Sequence, residues 1–380
     1  MRFVLLLLLF GINACINAQR NTDYTRVDNV ALQIPDSSTR STSGIARYIL
    51  AHFSSETDKS RAIFIWVAKN IRYDIANMFI AKSYKDNKEI IDEVIRTRKG
   101  VCTHYAELFN AIAHKVGIKS YVIAGYTKQN GVVDKLPHSW CASMIDSKWY
   151  FFDPTWGAGY MMNKKYVKQI NNAYFKTKPE ELIKSHMPFD PLWQFLNYPL
   201  TNQEFYDGKV LDNKKKRFFN YPDTLRNYEQ KSEIDKLISS NIRIEHNGVK
   251  NSLISDHLKY NKQEIEVLRN NSFIAKYNDA VSSYNEGINR LNRFIVYRNN
   301  RFTPQKSDND IKQMIDASDY YLSHAQKMLK EIKSPDFQTA KAINQLNKSI
   351  NEAMINLNEQ KAFLDKYLKT GKSSRKALFR

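Results

Sequence analysis

The apolar positions between Gly100 and Gly117 repeat at intervals of three and four residues, which predicts one buried face of an α-helix. Lys115 suits the last turn of this helix, and Gly117 is a natural left-handed stop. Cys102 therefore falls in the first turn, where unpaired backbone N–H groups favour a thiolate and lower the pKa of a cysteine. The face consists of Tyr105, Leu108, Phe109, Ile112, Ala113 and Val116.

Three segments after this helix are rich in β-branched and aromatic residues and predict strands. They cover residues 119–126, 138–145 and 148–153, and a tight turn at Asp146-Ser147 joins the last two. Side chains alternate in direction along a strand, so His138 points to one face and Cys141 to the other. His138 and Asp153 lie at the same end of the last hairpin, and we expect their side chains to be nearly opposite each other.

Long amphipathic helices follow from about Asn271. Apolar stripes with helical spacing cover residues 274–295, 311–332 and 343–364. Ser307 with Asp310 caps the second helix, and Ser334-Pro335 caps the third. Three helices of roughly 25 to 30 residues with short connections predict an antiparallel bundle or an array of helical hairpins.

The composition fits a mostly helical chain with a buried core. Hydrophobic residues make up 42% of the 380 residues and aromatic residues 12%, which excludes wholesale disorder. The 12 Gly and 10 Pro are too few for a turn-rich all-β chain. The formal charge is +19, and residues 208–380 carry 32 basic against 20 acidic side chains. This charge is interleaved with Asn-rich helical faces and no nucleic-acid-binding motif is present, so we expect no nucleic-acid partner.

The first 18 residues have the three-part pattern of a secretory signal peptide. Arg2 precedes an apolar run from Phe3 to Ile12, and a small polar stretch ends at Ala18. Cleavage after Ala18 is the first interpretation, and a lipoprotein signal that anchors Cys15 is the alternative. Nothing else approaches the ~18 apolar residues of a membrane-spanning helix. We therefore expect an exported protein (periplasmic, secreted or at the cell surface) without a transmembrane span.

Cleavage would leave two cysteines, Cys102 and Cys141, and two cysteines in an oxidising compartment favour one disulfide. The strand alternation argues against it, because a His138 that faces Cys102 turns Cys141 away. A thiol nucleophile needs a base within hydrogen-bond reach and a third group that orients the base. Cys102, His138 and Asp153 supply these three chemical types from a helix N-terminus and two neighbouring strands, so we predict that they form one site.

These residues and their neighbours resemble the transglutaminase-like superfamily of papain-type cysteine enzymes, from about residue 40 to about residue 205. Upstream, residues 61–74 match the helix and strand start that precede the cysteine in this family. Downstream, residues 186–194, which begin His186-Met187-Pro188, resemble the branch related to the kyphoscoliosis peptidase. The other matching segments are Gly100-Val101-Cys102, Tyr105-Ala106, Leu108-Phe109, Gly125-Tyr126, His138-Ser139-Trp140, Trp149-Tyr150 and Asp153-Pro154-Thr155-Trp156-Gly157.

The resemblance implies an α+β fold: a papain/transglutaminase-like core with an antiparallel sheet and the nucleophile at a helix N-terminus, followed here by the all-α helical bundle. It implies a triad with Cys102 as nucleophile, His138 as base and Asp153 as the group that holds the imidazole tautomer. The backbone N–H of Cys102 would meet part of the oxyanion.

Four neighbouring side chains have less certain places in this scheme. Trp140 and Trp156 flank the triad residues and are candidate walls of a substrate cleft. Trp66 could contribute to the oxyanion site, but its apolar neighbours favour core packing. His104 replaces a small residue that commonly follows the nucleophile in the family, and we expect it to point to solvent.

No metal or cofactor is predicted, because the sequence near the core shows neither an acidic cluster for calcium nor Cys or His pairs with zinc spacing. The predicted organisation is a signal peptide (1–18), a transglutaminase-like catalytic domain (25–207), a mixed linker and helical region (208–270), a long-helix bundle (271–369) and a basic disordered tail (370–380).

The predicted function is an exported cysteine-dependent peptidase or amidase that attacks a protein or a cell-envelope peptide through a thioester. Two alternatives stay open. One is transglutaminase-type cross-linking of proteins, and the other is a non-catalytic envelope protein that uses the same fold for binding. In either case the C-terminal helices are candidates for binding an envelope partner.

Overall fold

The computed structural model describes residues 23–379, apart from residues 81, 164 and 333–336. The predicted signal peptide, Cys15 and the cap at Ser334-Pro335 lie outside the described residues. The strands are β1 (Arg72–Tyr73), β2 (Lys99–Gly100), β3 (Ser120–Gln129), β4 (Val132–Ile145), β5 (Lys148–Phe152), β6 (Gly159–Met162), β7 (Lys165–Lys168) and β8 (His186–Pro188). The helices are α1 (Thr25–Ala31), α2 (Thr42–His52), α3 (Glu56–Asn70), α4 (Asn87–Thr97), α5 (Cys102–Lys115), α6 (Pro179–Leu182), α7 (Asn202–Asp207), α8 (Tyr221–Glu229), α9 (Glu233–Asn247), α10 (Ser252–Asn299), α11 (Asp308–Glu331) and α12 (Phe337–Lys369).

These elements divide into two compact units. The first unit runs to Glu229 and includes Arg243–Ser255. The second consists of Gln230–Ile242 and the chain from Asp256 onward. The first unit is α+β and the second is helical, which is the fold class that the sequence predicts.

A four-stranded antiparallel sheet in the order β5-β4-β3-β8 organises the first unit. The three predicted strands correspond to β3, β4 and β5, and the turn between the last two lies at Asp146-Ser147, where both residues have positive φ. β4 pairs with β5 through Cys141 opposite Phe152, and with β3 through His138 opposite Gly125. The sequence pattern did not predict β8, which pairs with the other edge of β3.

Helix α5 packs against this sheet and against α2, α3 and α4. It begins at Cys102 and ends at Lys115, as predicted, and Gly117 after it has a left-handed φ of 83°. Its apolar face is buried in the main core, together with a run of buried residues on α3. Trp66 on α3 is 2% exposed, which confirms that it belongs to the core.

The second unit is built from three long helices of 48, 24 and 33 residues, α10 to α12. Most residues of the three predicted apolar stripes are buried or partly buried there in two clusters, whereas Ile274, which begins the first stripe, is 52% exposed. Helix α10 begins earlier than the stripe from Asn271 predicts, because Leu258 and Ile265 extend its buried face. Ser307 and Asp310 cap α11 through reciprocal hydrogen bonds of 3.1 and 3.3 Å, which confirms the predicted cap.

The basic segment at the C-terminus was predicted to be a disordered tail, but Lys372–Phe379 forms a 3-10 helix. Arg375 in this helix makes hydrogen bonds of 2.6 and 2.8 Å to the carboxylate of Asp308. Among the helices of the described residues, none combines the length and apolarity needed to cross a membrane.

Candidate active site

Cys102 is the first residue of α5, and the segment before it is held in two ways. Strands β1 and β2 pair in parallel, with Tyr73 opposite Gly100. The N–H of Val101 donates to Nδ1 of His104 over 3.3 Å, so the imidazole caps the start of the helix. A Cβ added at Gly100 would lie 2.4 Å from the Cβ of His104, so a larger residue there would displace this cap.

His104 itself does not point to solvent, and that expectation is wrong. The side chain is buried, and its Nε2 lies 2.9 Å from the hydroxyl of Tyr84. Because Nδ1 accepts the hydrogen bond from Val101, Nε2 carries the proton and donates it to Tyr84. Burial lowers the pKa of His104, which favours this neutral form.

The register of the sheet brings His138 beside Asp153. The pairing of β4 with β5 reaches Cys141 opposite Phe152, and the two site residues lie just beyond this pair on their strands. Nε2 of His138 donates to Oδ2 of Asp153 over 2.8 Å. His138 and Cys102 interact closely enough to shift the pKa of each other, and since Nε2 of His138 faces Asp153, Nδ1 is the nitrogen left for the sulfur. The structure thus brings the three predicted site residues together.

Four N–H groups surround the carboxylate of Asp153, which is completely buried. Oδ1 accepts from the backbone of Thr155 at 2.8 Å and of Trp156 at 3.0 Å. Oδ2 accepts from His138 and from Nε2 of His186, the latter at 3.1 Å. Burial alone would raise the pKa of Asp153, but the charges and hydrogen bonds of the two imidazoles lower it well below its usual range.

His186 is the residue of this site to which the sequence assigned no role. His186 is the first residue of the edge strand β8 and lies opposite Thr127 of β3. The only signal in the sequence was that residues 186–194 resemble a family segment. A resemblance of this kind marks a segment without saying which side chain of it faces the site.

The surroundings of Cys102 and His138 shift their pKa values in opposite directions. Burial raises the pKa of the Cys102 thiol, but the hydrogen bond and charge of His138, with a hydrogen bond from the Ser139 backbone, bring it below its ordinary value. Burial lowers the pKa of His138, but the charge and hydrogen bond of Asp153 outweigh burial and raise it to about 10. Together these shifts favour a thiolate–imidazolium pair near neutral pH.

The two tryptophans predicted as cleft walls differ in exposure. Trp140 is 0% exposed, so it does not line an open cleft, and its ring stacks behind His138 at 6.0 Å. A Cβ at Gly125 would lie 2.5 Å from Cη2 of Trp140, so the glycine opposite His138 makes room for the indole. Trp156 is half-buried, and its ring lies 4.6 Å from that of His186 and 5.6 Å from that of His138.

Cys141 lies on the opposite face of β4, and both cysteines are free thiols. Its sulfur donates to the carbonyl of Ala106 over 3.2 Å. The thiol is fully buried, and burial raises its pKa well above the ordinary value. Cys141 is therefore part of the core and not part of the site.

His138, Asp153 and His186 also offer three ligand atoms that lie within 4.8 Å of one another. Such a set has the chemical types that bind zinc. In the structure both Nε2 atoms lie within hydrogen-bond distance of Oδ2 of Asp153, at 2.8 Å for His138 and 3.1 Å for His186.

An α+β core in which an antiparallel sheet faces a helix that begins at a cysteine is the papain/transglutaminase-like fold. Residues 43–154 match the family model described as the transglutaminase-like superfamily, so the chain contains a domain of this family. This match covers α5 with Cys102, strands β3 to β5, His138 and Asp153.

Similar proteins match a longer stretch of the chain than this domain. The chain is 29% identical over 181 residues to the kyphoscoliosis peptidase of Homo sapiens, covering 45% of this chain and 26% of that protein. It is 24% identical over 205 residues to hillarin of Drosophila melanogaster, covering 48% of this chain and 24% of that protein. The chain thus spans about a quarter of the length of the curated relatives it matches. A solved structure described as a TGase is 22% identical with a TM-score of 0.25, over 43% of this chain and 40% of that one.

Proposed function

We propose that this protein is a cysteine-dependent enzyme that attacks amide bonds, with Cys102 as nucleophile, His138 as base and Asp153 as the orienting carboxylate. The observation that carries the proposal is the place of His138, whose Nε2 donates to Asp153 over 2.8 Å and which interacts with the Cys102 thiol and lowers its pKa. An imidazole between a thiol and a carboxylate is the arrangement that activates sulfur as a nucleophile. The family domain that contains all three residues supports the proposal.

The proposed reaction has two steps. In the first, the Cys102 thiolate adds to the substrate carbonyl, and Nδ1 of His138 gives its proton to the leaving amine as the C–N bond breaks and a thioester forms. In the second, His138 takes a proton from water, which attacks the thioester, releases the acid and restores the thiolate. The backbone N–H of Cys102, at the start of α5, is a candidate donor to the oxyanion.

The proposed substrate is a protein or peptide. Members of the transglutaminase-like family act on protein substrates, and the relatives named kyphoscoliosis peptidase favour cleavage over transfer. Hydrolysis and cross-linking differ only in whether water or an amine resolves the thioester. A fluorescent alkylamine incubated with the protein and casein separates them, because incorporation into casein glutamine would establish acyl transfer, and cleavage without incorporation would establish hydrolysis.

The nucleophile can be tested without knowing the substrate. Iodoacetamide should alkylate Cys102 faster than Cys141 in the native protein at pH 6, with a rate that rises through a pKa well below the ordinary ~8.5. Quantitative mass spectrometry of the two cysteine peptides measures both rates in one sample. Protein unfolded in urea is the control, since both thiols should then react alike. Equally slow labelling of both thiols in the native protein would contradict the proposal.

Export is the second part of the proposal, and it is supported by the signal-like pattern of residues 1–18. Protein isolated from the producing cells should begin after Ala18. A chain that begins at Cys15 with the mass of attached lipid would instead establish a membrane anchor. Intact Met1 on protein from the cytosolic fraction would contradict export.

The long helices of the second unit favour a binding role in addition to catalysis, with an envelope component as the proposed partner. They form a separate compact unit outside the family domain. Replacing Cys102 by Ser separates the two roles. Undiminished biological activity of this variant would favour a non-catalytic scaffold that uses the same fold.

A further inference from the structure

We propose that His186 is a positioning residue of this site, which keeps the carboxylate of Asp153 ionised and aligned with His138. The inference rests on the proposed function, in which Asp153 orients His138. His186 reaches the carboxylate from β8, whereas His138 and Asp153 belong to the β4–β5 hairpin on the other side of β3. Its side chain is 1% exposed, so it faces Asp153 and not the substrate.

The hydrogen bonds of His186 fix which nitrogen carries its proton. Nε2 lies 3.1 Å from Oδ2 of Asp153, and Nδ1 lies 2.8 Å from the hydroxyl of Ser185. Burial lowers the pKa of His186, so the ring is neutral and carries a single proton. The carboxylate of Asp153 can only accept, so it selects the tautomer that carries its proton on Nε2. Nδ1 must then accept, and the Ser185 hydroxyl, which also lies 3.3 Å from the carbonyl oxygen of Leu182, supports this tautomer by donating to Nδ1.

Neighbouring aromatic rings hold the imidazole of His186 in place. Trp156 lies edge-on to it at 4.6 Å between ring centroids, and the buried ring of Trp140 lies at 5.2 Å. The ring of His138 is 5.6 Å away. Three aromatic rings thus surround the imidazole of His186 and keep its Nε2 directed at the carboxylate of Asp153.

A neutral donor at this place has a specific effect on the charges of the site. It stabilises the negative Asp153 without adding a second positive charge next to the His138 imidazolium. If it is removed, Oδ2 keeps His138 as its partner, and a buried carboxylate with fewer donors is protonated more easily. A neutral Asp153 no longer stabilises the imidazolium, so the Cys102 thiolate would form only at higher pH.

Two substitutions separate this role from simple packing. His186→Leu removes the donor and keeps a side chain of similar bulk. His186→Gln keeps an N–H donor close to the position of Nε2. Ser185→Ala keeps the imidazole and removes only the hydroxyl that donates to its Nδ1.

The experiment is the pH profile of iodoacetamide alkylation at Cys102 in the full chain, with Cys141 labelling in the same samples as the report of unfolding. For His186→Leu we expect the acid-side midpoint to move up by about one pH unit, that is about a tenfold lower rate on the acid side. His186→Gln should recover at least half of this shift, and Ser185→Ala should move the midpoint in the same direction by a smaller amount.

The other outcomes are equally informative. A wild-type chain without fast labelling of Cys102 would refute the proposed function itself. Fast wild-type labelling with an unchanged midpoint in His186→Leu would overturn the role of His186 and leave the proposed function intact. Equal shifts in the Leu and Gln variants would mean that His186 acts only by packing. If Cys141 labelling shows that His186→Leu unfolds, the midpoint of Ser185→Ala decides, and no shift there overturns the inference.

Discussion

Cys102 and Cys141 belong to the same domain, and the surroundings of their two sulfur atoms differ in each property that controls a thiol. Cys102 is half-buried at a helix N-terminus and hydrogen-bonds with an imidazole. Cys141 is fully buried in a strand, and its sulfur donates to a backbone carbonyl. Burial raises the pKa of both thiols, but only Cys102 has a positively charged partner that more than offsets it.

The comparison shows that the partner of a thiol decides the direction in which its pKa shifts, since burial raises the pKa of both. What separates the two residues is the direction in which the side chain leaves its element. Along β4, His138 and Cys141 leave on opposite faces, and the face of Cys141 packs on α5, where the sulfur donates to the carbonyl of Ala106. If the pairing register of β4 shifted by one residue, the side chains of His138 and Cys141 would exchange faces of the sheet.

The largest effect should come from His138→Gln, which removes the charge that distinguishes Cys102. The pKa of Cys102 should then return toward or above ~8.5, and its alkylation by iodoacetamide at pH 6 should slow by a factor on the order of 10 to 100. The labelling rate is measured by mass spectrometry, with Cys141 as the internal reference. A variant that still labels as fast as wild type would show that the helix N-terminus alone activates Cys102.

A second prediction concerns Glu107, which lies on α5 and whose charge contributes to the raised pKa of Cys141. Burial raises the pKa of Glu107 to about 7. The unfolded chain loses this proton near pH 4.5 and the folded chain near 7, so stability should fall as pH rises between these values. Glu107→Gln should therefore have a free energy of unfolding about 3 kcal/mol higher than wild type in urea at pH 8, and one equal to wild type at pH 4.

A matched control for this change is Glu359→Gln, at an exposed position of α12. This variant should keep the pH dependence of wild-type unfolding. If Glu107→Gln also leaves that dependence unchanged, Glu107 is not protonated in the folded protein at pH 5, and its part in the environment of Cys141 would have to be revised.

The smallest effect should come from Cys141→Ser. The hydroxyl can donate to the Ala106 carbonyl as the thiol does, but it is more polar in a dry core, so a loss of about 1 kcal/mol in the free energy of unfolding is expected. Alkylation of Cys102 should change by less than about twofold. A larger change in Cys102 labelling would mean that the two cysteines are coupled through α5.

The sequence predicts the parts of this structure that depend on neighbours along the chain. The start of α5 at Cys102 follows from apolar spacing, and the approach of His138 to Asp153 follows from strand alternation and one tight turn. His104 was misjudged because its partner Tyr84 lies 20 residues earlier in the chain, in the loop before α4. His186 reaches Asp153 across 33 residues, through a three-residue strand too short to be predicted from its pattern.

The complete burial of Trp140 was missed for the same reason. Alternation places its side chain on the face of His138, but whether that face is open depends on β8, which passes on the far side of β3. The start of α10 was also not predicted from the local pattern. Its buried residues include Leu258 and Ile265, which precede the predicted apolar stripe. The local pattern of a sequence predicts to which face of its element a side chain points. Whether that face is exposed depends on the packing of elements that are distant in the sequence.

The four donors around Asp153 have a consequence for the design of inhibitors. A carboxylate offers about four acceptor positions, and here the protein occupies all of them. A basic group on a small molecule therefore gains no ion pair with the carboxylate of Asp153. Selective compounds would need an electrophile for the sulfur of Cys102 and a flat ring for the exposed side of Trp156.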